Sequence, residues 1–103
     1  MAFNDGDLSE MTPFHTNGSV AVAATPVTIT APSSNIIQQI FVQNPSKGVN
    51  ANAISDILYI SIDQGSTFLA LARGESISLA GDTANIKIKS SVNGVKYEVI
   101  LWY

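Results

Sequence analysis

Near its C-terminus the chain carries Asn93-Gly94 between two alternating runs, 85–92 and 95–102. That dipeptide is the strongest short-range signal for a two-residue hairpin turn, because both central residues need positive φ. The expected pairing sets Val92 opposite Val95, Ile88 opposite Val99 and Ile86 opposite Leu101. One face then holds Ile86, Ile88, Val92, Val95, Tyr97, Val99 and Leu101. The other sets Lys89 against Glu98, a cross-strand pair of opposite charge. A one-residue slip would bury the lysines, so a hairpin in this register is well determined. It commits the chain to antiparallel sheet.

The remaining sequence has the same texture. Short β-branched runs separated by turn residues predict strands at 19–24, 27–30, 36–43, 54–62, 67–72 and 76–79, besides the last two. Pro26 and Pro32 bracket the run 27–30 and mark it as an edge strand, since proline cannot donate to a ladder. A second hairpin turns at Asp63-Gln64-Gly65-Ser66, placing Leu58 against Leu71 and Ile60 against Leu69. At Arg73-Gly74-Glu75 a two-residue loop would put Ile77 and Leu79 on the wrong face. A longer loop or a crossing to another sheet is therefore expected there. No stretch sustains a 3.6-residue apolar repeat. The expected fold is all-β, an antiparallel β-sandwich or jelly roll of about eight short strands. Residues 1–17, without periodicity, read as an extended N-terminal arm, and 18–103 as the sandwich domain.

Composition narrows the function classes. A chain of 103 residues fits one domain and needs no disulfide or metal to hold a core. Charged residues are 13%, about half the usual share of roughly 25%, so polar neutral side chains or another protein must cover the surface. The net charge is −3 and Lys47 is the only basic residue before Arg73, which argues against direct nucleic-acid binding. There is no cysteine, hence no disulfide, thiolate metal site or cysteine nucleophile. The acidic start MAFNDGDLSEM lacks the positive and apolar regions of a secretory signal, and no run is long enough for a membrane span. A soluble protein is expected.

Candidate sites are few. NDGDLSE offers Asp5, Asp7 and Glu10 but lacks the spacing of a calcium loop, and reads as a solvated acidic segment; no metal is expected. His15, the only histidine, lies in a segment read as irregular, whereas a catalytic triad needs a rigidly held imidazole. Asp63 and Glu75 sit at turns and make no carboxylate pair over a pocket. Neither catalytic residues nor a cofactor are expected, and the chain is read as no enzyme. Tyr59, Tyr97, Trp102 and Tyr103 could form a sugar platform, with Asp63 and Arg73 as gripping groups, or could be core and sheet-end packing. Ile100 and Trp102 fall on the outward face of the last strand, where exposed apolar groups suggest contact with another subunit. With Phe3, Met11 and Phe14 of the arm, and Tyr103, they form the expected protein-contact set.

The stretch YISIDQGSTFLALARGESISL followed by IKIKSSVNGVKYEVILWY resembles small virion proteins of tailed bacteriophages. In that group a strand ends in an aspartate-glycine turn, resumes at Thr-Phe, turns at a glycine near Ser-Ile-Ser-Leu and finishes in a hairpin. The similarity spans residues 43–103; the arm carries no matching motif. The resemblance implies a β-sandwich subunit of the particle, assembled in the host cytoplasm. It would be a capsid decoration (cement) protein, or a small piece of the neck, tail or baseplate. It also implies other virion proteins as partners, the major capsid protein first, and a homo-oligomer, commonly a trimer, in which an arm reaches a neighbour. A carbohydrate-binding module is the reading from a different class.

Overall fold

The computed structural model describes residues 11–103. Eight strands follow in order: β1 (Pro13–Val20), β2 (Val27–Thr30), β3 (Ile37–Gln43), β4 (Leu58–Ser61), β5 (Leu69–Leu71), β6 (Ser76–Thr83), β7 (Asn85–Ser90) and β8 (Val95–Trp102). They form two four-stranded antiparallel sheets, ordered β1-β8-β3-β6 and β2-β7-β4-β5. This is the jelly-roll order: β1 pairs β8, β2 pairs β7, β3 pairs β6 and β4 pairs β5. The chain is thus one long antiparallel hairpin with its apex at the β4–β5 turn, rolled up so that its halves face each other.

The core lies between the sheets. Along β8, Val95, Tyr97, Val99 and Leu101 point inward while Lys96, Glu98, Ile100 and Trp102 point out, the period-2 pattern of a strand with one buried face. Ile37, Ile40 and Val42 of β3, Leu58 and Ile60 of β4, and Ile86 and Ile88 of β7 complete the centre. Gly18 is needed for space, not for backbone freedom. It lies opposite Tyr97, and a Cβ there would stand 2.7 Å from the phenol oxygen.

The C-terminal hairpin expected from Asn93-Gly94 does not form. β7 pairs with β2 and β4, whereas β8 pairs with β1 and β3. Residues 91–94 carry the chain from one sheet to the other, with Gly94 at φ 86°. The reason is burial. A hairpin would set Ile86 and Ile88 beside Val99 and Leu101 on one sheet face; the crossing stacks them across the core, where all four are fully buried. The corner is held by bonds to β1 and its loop: Gly94 N–H to Val20 O, Ser90 N–H to Ala23 O, and Ala23 N–H to Asn93 Oδ1. Val92, expected inside, is exposed. Lys89 and Glu98 stand on different sheets and make no pair.

Other expectations fare better. Leu58 faces Leu71 and Ile60 faces Leu69 across the Asp63–Ser66 turn, although Leu69 stays half exposed on an edge strand. The chain crosses sheets after β5, which brings Ile77 and Leu79 against the core. β2 is an edge strand. The segment assigned to the arm needs correction: β1 begins at Pro13, so Pro13, Phe14, His15, Thr16 and Asn17 are sheet, and the strand expected at 19–24 ends at Val20, with 21–24 in the turn that follows. Residues 1–10 of that segment lie outside the described residues.

One feature of the interior is polar. Asn44 and Asn52 are buried side by side, and Asn44 Nδ2 donates to the carbonyls of Leu71 and Asp56 at 2.9 and 3.0 Å. Asn52 Nδ2 donates to Asn44 Oδ1 and to Lys96 O, and Asn52 Oδ1 accepts from Lys96 N–H. The Asn52 amide therefore stands in for a peptide unit and continues the β3–β8 ladder one step past Gln43. It ties the β3–β4 and β5–β6 loops to β8.

Candidate contact surface

The outward residues of the first sheet fall into cross-strand rows. Trp102 lies between Pro13 and Gln39, and Gln39 is followed by Ala80. Ile100 lies between His15 and Phe41, and Phe41 is followed by Ser78. The third row is Asn17, Glu98, Gln43 and Ser76. Because β6 presents the small residues Ser78 and Ala80 beside the larger Phe41 and Gln39, the face is hollowed. The depression has a volume of about 410 Å³ and is lined by Gln39, Phe41, Ser78, Ala80, Ile100 and Trp102. Its floor is apolar, its one amide is Gln39, and none of these lining side chains is titratable.

The outer face of the second sheet has another chemistry. Lys89 Nζ lies 4.2 Å from the Phe68 ring centre and 6.0 Å from that of Tyr59, and Lys87 Nζ donates to Thr28 Oγ1. These cations are engaged within their own sheet surface. At the β4–β5 apex, Asp63 accepts from Thr67 Oγ1 at 2.6 Å, Thr67 N–H at 2.9 Å and Ser61 Oγ at 2.7 Å. The Thr67 bonds, chiefly, pull its carboxyl from the ordinary 3.8 down to about 2. Burial raises the Tyr97 phenol above its usual range.

Of the expected contact residues, Ile100 and Trp102 stand together in the hollow. Phe14 and Tyr103 pack against the core instead, Met11 is half-buried just before β1, and Phe3 lies outside the described residues. The sugar-gripping set is dispersed. Tyr59 is on the opposite outer face, Tyr97 is inside, Asp63 closes its own turn, and Arg73 Nη1 donates to Asn52 O in the loops. His15, read as lying in an irregular segment, is an exposed strand residue beside Ile100. Glu75 Oε1 accepts the Ala72 N–H and closes the turn there. The acidic segment NDGDLSE lies outside the described residues. Among the described residues no three His, Cys, Asp or Glu side chains gather as a metal site, and no helix is long and apolar enough to cross a membrane.

Phe41 is the functional candidate that sequence reasoning missed. Its signal was present: Ile40-Phe41-Val42 puts three apolar residues in a row on a strand, so one apolar group had to point away from the core. In comparisons with known proteins, no family model and no curated protein matches the chain.

Proposed function

We propose that this chain is a non-catalytic structural subunit of a tailed-phage particle, a capsid decoration protein that binds neighbouring capsid subunits through the outer face of its first sheet. The observation that carries the reading is the apolar hollow formed by Phe41, Ile100 and Trp102 on a solvent-facing sheet. Aromatic anchors grouped in a depression lined by no charged side chain are what a protein contact needs at its centre, where charged groups are depleted. The resemblance of residues 43–103 to small virion proteins supplies the particle. The low charge content of 13% suits a surface that spends its life against other subunits. Neck, tail or baseplate positions use the same contact chemistry.

The test is re-binding of purified protein to particles lacking it. Trp102→Ala should weaken binding by at least about 30-fold, the equivalent of roughly 2 kcal/mol for a central anchor. A Trp102→Ala variant that is folded and binds as the parent does would remove this face from the interface.

A second reading draws on the same hollow. An aromatic ring in a shallow neutral depression beside the Gln39 amide also suits a saccharide, whose ring has an apolar face and hydroxyl edges. Trp102 is the only tryptophan, so its fluorescence reports directly. Saturable quenching by a saccharide, with no affinity for particles, would favour this reading.

A further inference from the structure

The two sheets have four edges, β1 and β6 in one, β2 and β5 in the other. Exposed edges invite pairing with another chain, and proteins blunt them with shortness, proline, bulges or charge. Three edges here carry such devices. β5 has 3 residues; β2 has 4 and is flanked by Pro26 and Pro32. β6 is broken by a register shift opposite Ile37 and Gln39, beside Gly81 at φ 139° and Asp82. β1 differs. It runs for 8 residues in unbroken register against β8, contains no charged residue, and has its one proline at its first position.

The orientation of its free backbone groups follows from the ladder. Thr12 and Tyr103 exchange both N–H···O bonds, at 2.6 and 3.0 Å, so they form a hydrogen-bonded pair. Such pairs alternate in antiparallel sheet. Phe14, Thr16 and Gly18 therefore bond to β8, and Pro13, His15, Asn17 and Ser19 direct their backbone groups outward. The parity is checked independently on the far side of β8, where Lys96 turns its N–H and carbonyl to Asn52. Among the described residues no strand lies beyond β1, which leaves the N–H groups of His15, Asn17 and Ser19 facing out.

We infer that β1 pairs antiparallel with β1 of a second copy of this chain, about a two-fold axis through Asn17, fusing two four-stranded sheets into one of eight strands. A second copy fits because the edge is complementary to itself in this register. His15 meets Ser19 of the mate and Asn17 meets Asn17. All three free donors of each strand then find the three free carbonyls of the same residues, and no like charges are opposed. The matching is also correct in face: inward Phe14 meets inward Val20, and Thr16 meets Gly18. A shift toward Pro13 would leave a carbonyl facing a residue without N–H. The inference stands on the sheet edge alone and holds whatever the hollow binds; the resemblance implies a trimer, whereas this geometry gives a two-fold pair.

Sedimentation of the isolated chain tests it. The mass should rise with concentration from 10.9 kDa to twice that value. Asn17→Pro should abolish the rise while leaving the fold intact, since the Asn17 N–H makes no bond to β8. As the chain has no cysteine, Asn17→Cys adds the sole thiol. Hydrogen-bonded antiparallel neighbours have Cα atoms about 5.5 Å apart, within disulfide reach. Mild oxidation should convert most of that variant to a covalent dimer, and a Cys at Lys47, in the β3–β4 loop and outside β1, should cross-link at least tenfold more slowly. A parent that remains monomeric to about 1 mM overturns the inference, as does a trimer, or a dimer in which Asn17→Cys cross-links no faster than Lys47→Cys. If Asn17→Pro fails to fold, the cross-linking comparison decides.

Discussion

Asn44 illustrates how much a single buried amide can hold. Its Nδ2 reaches two carbonyls that come from the β3–β4 loop and from the end of β5, and its Oδ1 receives Asn52. Asn44→Ala leaves those carbonyls without a donor in a site closed to water, and unsatisfied buried acceptors are costly. We expect a loss of about 2–3 kcal/mol in unfolding free energy. Asn44→Asp, nearly the same in shape, should do no better, because a carboxylate cannot donate to Leu71 O and Asp56 O. Urea denaturation checks both. A loss under about 0.5 kcal/mol would show the amide network to be dispensable. Neither asparagine could be picked out beforehand. In sequence they stand among other polar loop residues, and only the convergence of the β3–β4 and β5–β6 loops on β8 buries them.

At the scale of elements, the β4–β5 turn is the one local hairpin among the described residues, and it is densely capped. Asp63 closes it through Thr67 and Ser61, and Ser61 Oγ also accepts the Gly65 N–H. The carboxyl pKa is lowered from 3.8 to about 2, so the folded state favours the ionised form. By linkage, this contribution to stability is fully present above the unfolded value of 3.8 and is lost as pH falls through about 2. Asp63→Asn should therefore reduce the acid sensitivity of unfolding between pH 4 and pH 2, the window those two values set. Thermal melts of the two proteins across that range provide the comparison; parallel curves would mean that the turn carboxylate is not a source of pH dependence. This turn was legible in the sequence because everything that determines it lies within residues 58–71. The Asn93-Gly94 turn, equally clear by local rules, was misread because its neighbours decide it. Its glycine does supply positive φ, but for a corner between sheets.

Over the described residues the chain is a hairpin nested around that apex, so every strand pair there except β4–β5 joins residues remote in sequence. Loop closure must precede most of the favourable contacts, and such topologies fold in roughly milliseconds to seconds. Refolding should fall in that range. Because β4–β5 is the only pair among the described strands that forms locally, Thr67→Ala should slow folding more than it speeds unfolding. Stopped-flow kinetics decides: if Thr67→Ala accelerates unfolding and leaves the folding rate unchanged, the apex is not part of the nucleus.

What the sequence determined by itself is what depends on short range. The β class, the inward and outward alternation of β8 and the register of β4 against β5 follow from side-chain period and turn chemistry, whereas β1, read as 19–24, lies at Pro13–Val20. Ile100 and Trp102 could be placed on an outer face for the same reason. The tertiary structure decided which strand lies beside which, because hydrogen-bonding edges are alike and only the mutual burial of two apolar faces selects the partners. That selection sent β7 and β8 to opposite sheets, brought Phe41 beside Ile100 and Trp102, and buried Asn44 with Asn52.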